Sequence, residues 1–261
     1  MGNIKRSPVW DDPRVKPPYG SVELDPSHPL ARGLGACWLF HEGAGVTSRD
    51  FSPNQWTTTG TDVVWQPTAR GVAVSLTGSA KIVIPMAATA QVFSVAARFL
   101  VTGTSGYRGL LGKASADAVQ EIRVNATSNT VSLMKQNTAQ IGVTSAGIAA
   151  NVVTDLVVTY DASGNYAFYL NGKLDSSGTN LQTFTVSVDP CLGNSADGVL
   201  DGSILHFYYY PNCVLTEGEA LQQSADPYAM FRPIIRRRYV VPAAAGDNVN
   251  ITPPTAVRLG V

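Results

Sequence analysis

The dipeptide Asn171-Gly172 is the feature that most constrains the fold of this chain. A two-residue type I′ turn needs positive φ at both central positions, and Asn-Gly meets that need at little steric cost. The dipeptide follows the alternating run 166–170, and a second turn at 161–165 separates that run from the β-branched and aromatic run 155–160. The region is therefore predicted to be a three-stranded antiparallel meander.

Short runs of this kind recur at even spacing along most of the chain, and Gly, Asn, Asp and Ser bound them. Helical periodicity is nearly absent, and a chain of 261 residues can form one all-β domain. This pattern predicts an antiparallel β-sandwich or barrel. The predicted strands are 35–40, 72–76, 81–84, 93–101, 109–112, 121–124, 130–135, 151–160, 166–170 and 203–210.

Two segments of different character flank these strands. About thirty residues at the start contain six prolines and no apolar period, which indicates an extended arm. We predict a Pro-rich arm at 1–32, a sandwich domain at 33–225 and a second extended arm at 226–261. Because the arms carry few clustered apolar residues, we expect them to become ordered against neighbouring chains rather than by their own burial.

One short helix is predicted before the second arm. Thr216 can cap it, and Glu219 occupies the third helical position of a capping box, so that its carboxylate can reach back to the cap. Glu217 and Glu219 also favour the positive end of the helix dipole. Asp226-Pro227 is expected to end the helix after about two turns.

Composition argues against several classes of partner. The formal net charge is zero, so no global field attracts nucleic acid or an anionic membrane. No apolar run approaches the roughly 20 residues that span a bilayer, and the first residues lack the apolar core of a signal peptide. Cys37, Cys191 and Cys213 lack metal-ligand spacing and are expected to be reduced and buried, with a bridge between Cys37 and Cys213 as the alternative.

Several motifs, taken in order, resemble laminin-G-like, concanavalin A-like lectin jelly-roll domains. Residues 30–45 are similar to the aromatic first strand and acidic-glycine turn of these domains, and 49–54 to their Asp-x-Ser-x-Asn loop. The meander resembles their central hairpins, and 191–221 resembles their closing strand and helix. This resemblance covers about 30–225 and implies an all-β, antiparallel β-sandwich jelly roll with one short C-terminal helix.

The segment 225–233, together with the arginine run after it, resembles the ending of jelly-roll proteins encoded by tailed bacteriophages. That resemblance implies a non-enzymatic virion protein, such as a capsid decoration, head-fibre or tail-associated protein, made in the host cytoplasm and located on the virion surface. Capsid or tail subunits and further copies of the chain are the expected partners. The candidate partner-docking residues are Trp10, Arg232, Arg236, Arg237, Arg238 and Tyr239.

A stand-alone carbohydrate-binding module is the alternative function. Sugar binding needs exposed aromatic faces beside hydrogen-bonding side chains, and Trp56, Trp65 and Tyr107 fall near predicted loops with such neighbours. A host surface glycan is therefore a further candidate partner.

No cofactor is expected apart from calcium, which the resembled domains often bind in loops. Asp50, Asn54 and Asp201 match the positions of such ligands. Turn capping is the favoured interpretation of the two aspartates.

A polysaccharide hydrolase or lyase is the second alternative. The resembled fold includes glycosidases that use carboxylates spaced as Glu-x-Asp-x-x-Glu or Glu-x-Asp-x-Glu on one strand, and this sequence lacks that spacing. The histidines lack a nucleophile elbow to support a Ser-His-Asp arrangement. His206 is predicted to be a half-buried strand residue that shares one face with Ile204 and Tyr208. We therefore expect no enzymatic activity.

Overall fold

The structure is a computed structural model that describes residues 12–85, 91–103, 106–113, 120–125, 127–136, 138–184, 190–195 and 198–234. These residues contain twenty strands and one α-helix, α1 (Glu217–Ala225). The strands are β1 (Val22–Leu24), β2 (Ala36–Trp38), β3 (Thr47–Arg49), β4 (Thr57–Thr61), β5 (Val64–Thr68), β6 (Gly71–Leu76), β7 (Lys81–Val83), β8 (Phe93–Val101), β9 (Arg108–Gly112), β10 (Gln120–Val124), β11 (Thr130–Lys135), β12 (Ala139–Gly147), β13 (Thr154–Tyr160), β14 (Asn165–Leu170), β15 (Lys173–Thr179), β16 (Cys191–Leu192), β17 (Asn194–Ser195), β18 (Gly198–Val199), β19 (Gly202–Pro211) and β20 (Phe231–Pro233).

The strands form two large sheets and one small strand pair. The first sheet has the order β15-β14-β13-β8-β19-β6-β5, and β2 pairs with β19. The second has the order β12-β11-β10-β9-β16-β7-β4-β3, with β17 and β18 attached beside β9. Nearly all pairings are antiparallel, the exception being that of β18 with β9. This arrangement confirms the predicted antiparallel sandwich, and all ten predicted strands lie on observed ones.

The main hydrophobic core lies between the two sheets. Trp38, Phe99 and Phe207 of the first sheet pack in it with Ile82 and Leu133 of the second. Alternation along each strand sends these side chains inward because successive residues of a strand point to opposite faces. The two sheets therefore enclose the main core of the described chain.

A second hydrophobic cluster covers the outer face of the first sheet. Cys37, Ala96, Val157 and Tyr208 of that sheet pack there against residues from outside the sandwich. The residues that cover them come from the chain before β2, from the helical region and from the chain after it: Val22, Leu30, Leu34, Leu215, Ala220, Tyr228, Met230 and Phe231.

This second cluster shows that the expectation about arm docking was wrong for the described parts of both predicted arms. Val22 and Leu30 are fully buried, and β1 pairs with β20 so that Val22 lies opposite Pro233. Lys16 is also buried, and its Nζ donates hydrogen bonds to the carbonyls of Phe40 and Val72. The proposed domain boundaries themselves remain predictions.

The meander of β13, β14 and β15 is confirmed. Asn171 and Gly172 have φ of 49° and 76°, as a type I′ turn requires. The Asn171 Oδ1 accepts a hydrogen bond of 3.0 Å from the Asp155 amide, which ties the turn to the start of β13. The third strand is longer than the two-residue run that follows the turn in the pattern, because it extends to Thr179.

The predicted helix is confirmed together with its cap. The Thr216 hydroxyl accepts a hydrogen bond of 3.3 Å from the Glu219 amide, and the Glu219 carboxylate accepts one of 2.9 Å from the Thr216 amide. The helix ends at Ala225, directly before Asp226-Pro227. Among the described residues no helix has the length and apolar character needed to cross a membrane.

Two sequence predictions about β19 and the cysteines need correction. The pairing of β19 with β8 shifts register between Ile204 and His206, so Ile204 faces the main core whereas Tyr208 belongs to the second cluster. His206 is buried rather than half-buried, and its Nδ1 lies 3.3 Å from the Tyr228 hydroxyl. Cys37, Cys191 and Cys213 form no disulfide with one another, and Cys213 is only partly buried.

Candidate functional site

The loop between β3 and β4 is held by one buried carboxylate, that of Asp50. Its Oδ1 accepts hydrogen bonds of 2.8 Å from the amides of Cys37 and Ser52. Its Oδ2 accepts bonds from the Ser52 hydroxyl at 2.7 Å and from the Trp56 amide at 3.1 Å. Of these four donors, the Cys37 amide ties the loop to β2 and the other three lie in the loop itself, where the carboxylate positions the backbone of Trp56.

Trp56 and Tyr19 line one open pocket of about 290 Å³, which we call the Tyr19–Trp56 cleft. Tyr19 comes from the described part of the first predicted arm and is 62 % exposed. Trp56 is partly buried against the main core. The polar lining comprises Glu42, Thr47, Ser48, Arg49, Asp50, Gln55 and Thr57.

Contacts with neighbouring residues hold the Tyr19 and Glu42 side chains of the cleft in place. The Tyr19 ring lies edge-on to the His41 ring with centroids 5.0 Å apart, and His41 in turn meets Phe51 at 5.3 Å. The Glu42 Oε1 accepts a hydrogen bond of 2.8 Å from the Arg49 amide, whereas its buried Oε2 has no hydrogen-bond partner among the described residues. The cleft therefore combines aromatic surface with polar side chains, of which Arg49, Gln55 and Thr57 are exposed.

Burial lowers the pKa of His41 to about 4. The hydrogen-bonding contact of its Nδ1 with the Pro17 carbonyl opposes this effect, and the charges of Lys16 and Arg49 add to it. His41 is therefore neutral at pH 7 and supports the cleft as an aromatic ring rather than as a cation.

The three aromatic residues singled out in the sequence do not share this cleft. Trp65 is partly buried, its Nε1 donates a hydrogen bond of 2.7 Å to the Gly45 carbonyl, and it does not line the cleft. Tyr107 is 43 % exposed, but the Arg123 guanidinium lies 4.1 Å from the centre of its ring. Of the predicted set, only Trp56 lines the cleft, and Tyr19 was missed because it lies in the Pro-rich segment.

Each of the three calcium candidates forms hydrogen bonds to a different part of the protein. The four donors around Asp50 leave its carboxylate committed to the loop. The Asn54 Nδ2 donates to the Gly35 carbonyl at 2.8 Å, and Asp201 accepts from the Thr102 hydroxyl at 3.1 Å. The described residues contain no group of three or more His, Cys, Asp or Glu side chains that could hold a metal ion. These roles favour the turn-capping interpretation.

Most of the predicted docking residues, namely Trp10, Arg236, Arg237, Arg238 and Tyr239, lie outside the described residues. Arg232 is described on β20, where its Nε bonds to the Glu23 carboxylate at 2.8 Å. Both side chains remain about half exposed. The pair therefore lies on the surface beside the strand pair that joins the two flanking segments.

A buried carboxylate that the sequence did not indicate belongs to Glu121 on β10. Its side chain is fully buried, and neither oxygen has a hydrogen-bond partner among the described residues. Burial raises its pKa, while the neighbouring Ser195 hydroxyl and the Arg123 guanidinium, 3.9 Å away, oppose that shift. The residue was missed because all five residues of β10 are buried, a pattern that alternation of polar and apolar residues does not predict.

Comparison with known proteins now places the chain in a family. Residues 76–220, more than half of the chain, match the family model described as the Concanavalin A-like lectin/glucanases superfamily. The protein belongs to this superfamily, as its sandwich architecture and the sequence motifs also indicate. Among curated proteins, none shows significant sequence similarity to the chain.

Solved structures share the fold at low sequence identity. Domain 4 of AbnA, a GH43 extracellular arabinanase from Geobacillus stearothermophilus solved in complex with arabinotriose, has a TM-score of 0.60 and 20 % identity, over 73 % of this chain and 98 % of that domain. Botulinum neurotoxin type C, whose cell entry depends on two ganglioside molecules, has a TM-score of 0.57 and 13 % identity over 74 % of this chain. The binding domain of botulinum neurotoxin DC, solved with rat synaptotagmin II, has a TM-score of 0.58, 14 % identity and the same coverage of this chain. The chain spans about half of each neurotoxin chain.

Proposed function

We propose that this protein is a non-catalytic carbohydrate-binding jelly roll that contacts glycans at the Tyr19–Trp56 cleft. The observation that carries the proposal is the pairing of these two aromatic side chains with polar side chains around one open pocket. The C–H face of a sugar ring packs on an aromatic surface, while its hydroxyls need hydrogen-bond partners at the edge. The structural neighbour solved with arabinotriose lends support by showing that a similar fold accommodates a saccharide.

The absence of catalysis is part of the proposal. Hydrolysis of a glycosidic bond uses a pair of carboxylates that flank it, one of which acts as a general acid. Glu42 and Asp50 both line the cleft, but the Asp50 oxygens already accept four hydrogen bonds within the loop. Asp50 is therefore a poor nucleophile or base, and Glu42 lacks a free carboxylate partner among the described residues of the cleft.

Binding to a glycan array tests this proposal. We expect the intact chain to bind a subset of glycans, and Trp56→Ala or Tyr19→Ala to weaken that binding by at least about tenfold. Tyr107→Ala is the matched control, since it removes an exposed aromatic ring that does not line the cleft. Equal losses in all three variants would contradict the assignment, and turnover that Glu42→Gln abolishes would favour the hydrolase alternative.

We also propose that this protein is made in the host cytoplasm and is displayed on the virion surface of a tailed bacteriophage. The support is the resemblance of 225–233 to the ends of phage jelly-roll proteins, and the arginines that could bond subunit carboxylates. Under this proposal capsid or tail subunits and further copies of the chain contact residues 1–11 and 235–261. The sandwich then faces outward toward host glycans.

Deletion of 235–261 tests the display proposal without removing any residue of the second cluster. We expect the shortened chain to fold and bind glycans as before, but to be absent from particles purified by density gradient. Incorporation equal to that of the intact chain would overturn the anchoring role. A particle that lacks even the intact chain would overturn the display proposal as a whole.

A further inference from the structure

A second pocket, of about 460 Å³, lies on the far side of the first sheet from the main core, between that sheet and α1. It opens where the chain before β1, the turn between β5 and β6, and the Asn171-Gly172 turn converge on the end of the helix. We call it the arginine pocket. Its polar lining consists of Arg14, Arg70, Arg98, Asp155, Asn171 and Ser224.

The Arg98 guanidinium already forms hydrogen bonds to other groups of the pocket. It forms two hydrogen bonds to the Asp155 carboxylate, at 2.6 and 2.9 Å, and donates a third to the Arg14 carbonyl at 3.1 Å. These bonds hold Arg98 in one orientation and neutralise the single carboxylate of the pocket lining. A ligand therefore meets a fixed surface here rather than a free negative charge.

Apart from the Arg98–Asp155 pair, the pocket lining carries two positive charges, those of Arg14 and Arg70. Arg14 is exposed and Arg70 is partly buried, and neither forms an ion pair with any residue that the structure describes. With Arg98 and Asp155 compensating each other, the lining has an excess of two positive charges. A partly enclosed surface of this kind concentrates anions, and a guanidinium bonds a carboxylate through two parallel hydrogen bonds.

Two further polar groups are available beside these charges. The Ser224 hydroxyl is buried, and its residue is 8 % exposed, yet the hydroxyl has no hydrogen-bond partner among the described residues. The Asn171 Oδ1 accepts from the Asp155 amide, which leaves the side-chain Nδ2 as a donor without a described partner. A buried hydroxyl without a partner costs free energy unless a bound molecule satisfies it.

The remaining wall is apolar. Val153, Leu221 and Ala225 complete the lining, and Leu221 is partly exposed. A ligand that matches this lining therefore carries an anionic group, hydroxyls and an apolar face. A sugar that carries a carboxylate has all three, and the pocket volume falls in the range of small-ligand sites.

We propose that the arginine pocket binds an acidic sugar, with its carboxylate held by the Arg14 and Arg70 side chains and a ring hydroxyl bonded to Ser224. This inference rests on the proposal that the protein binds carbohydrate, and it adds a second site that selects for charge. The site is separate from the Tyr19–Trp56 cleft, because the two pockets have no lining residue in common.

Titration of the full chain with glucuronate, followed by calorimetry or NMR, tests the inference. We expect binding that weakens as salt is added, and that falls at least about tenfold in Arg70→Gln and in Arg14→Gln. Glucose and the methyl ester of glucuronate are the matched probes, because they keep the ring and lose the charge. Arg232→Gln is the control variant, since it removes an exposed guanidinium at another place.

The outcomes separate this inference from the proposed function. Retention of glucuronate binding in Trp56→Ala, with its loss in Arg70→Gln, supports the arginine pocket. Glucuronate affinity that neither arginine variant changes overturns it, even where the array shows neutral glycans bound at the cleft. Equal affinity for glucuronate, inorganic sulfate and phosphate also overturns it, because the pocket would then recognise an oxyanion and no sugar.

Discussion

Arg98 and Asp155 lie directly opposite each other on the neighbouring strands β8 and β13, and their side chains form a two-pronged ion pair. The Arg98 side chain is 3 % exposed and that of Asp155 is 19 % exposed. Burial opposes the charged form of Arg98, but the hydrogen bonds and charge of Asp155 raise its pKa above the usual value. The pair thus keeps a cation inside the layer between the first sheet and α1.

We expect Asp155→Ala to destabilise the protein by about 3 kcal/mol, because it leaves the Arg98 charge buried without its partner. Denaturant unfolding of the two proteins measures the difference. Glu23→Ala is the matched control, since it breaks the exposed cross-strand pair with Arg232 and should cost no more than about 1 kcal/mol. Equal costs for the two substitutions would show that the burial of Arg98 is not decisive.

The neutral state of His41 predicts a pH dependence of stability. The folded protein keeps His41 unprotonated down to pH about 4, whereas the unfolded chain binds a proton below a pKa of about 6.5. Unfolding free energy should therefore fall as pH is lowered through this window, by up to about 1.4 kcal/mol per pH unit from this residue. His41→Gln should flatten the dependence measured by denaturant unfolding, and an unchanged slope would contradict the assignment. Burial also lowers the pKa of His206, so part of the slope should remain.

Glu121 predicts a dependence of opposite sign. Because its pKa is raised in the folded protein, the folded state binds more protons than the unfolded chain just above the ordinary carboxyl pKa. Its unfavourable contribution should grow as pH rises and disappear at low pH. Glu121→Gln should therefore be more stable relative to the natural chain at pH 7.5 than at pH 4, which lies below the ordinary carboxyl pKa of 4.5. A stability difference that is constant between these pH values would exclude a raised pKa.

Removal of the helix cap should be a mild perturbation. Thr216→Ala deletes the acceptor for the Glu219 amide and should lower the free energy of unfolding by about 1 kcal/mol. Thr216→Ser keeps the hydroxyl and should recover most of that loss. Thermal unfolding of the three proteins measures the effect. Loss of the same free energy in the serine variant would show that the threonine methyl group, rather than the cap, matters.

Local signals in the sequence were sufficient for the elements whose partners are close in the chain. The meander around Asn171-Gly172 depends on a turn that two residues determine, and α1 depends on a cap and a stop with nine helical residues between them. The strand pair β1–β20 joins residues about two hundred positions apart, and three-residue strands carry no alternation long enough to detect. Its formation could not be read from either segment alone.

The same limit applies to the candidate sites. Trp56 was identified because an aromatic residue in a polar loop is a recognisable pattern. Tyr19 was not, because its neighbourhood consists of prolines that predict an extended segment and give no information about what it lies against. The arginine pocket combines residues from six separate parts of the chain. Two of these parts, α1 and the Asn171-Gly172 turn, meet only because the helix packs against the turn.

Because β1 pairs with β20, the two ends of the segment 22–233 lie next to each other. Val22 faces Pro233, and the Ile234 amide donates to the Ser21 carbonyl, so the two strands enter and leave at one point on the surface. A circular permutant that joins the chain across this point and is opened between the exposed residues Ala162 and Ser163 would retain both hydrophobic clusters. By the same geometry, the chain enters β1 and leaves β20 at a single place on the sandwich.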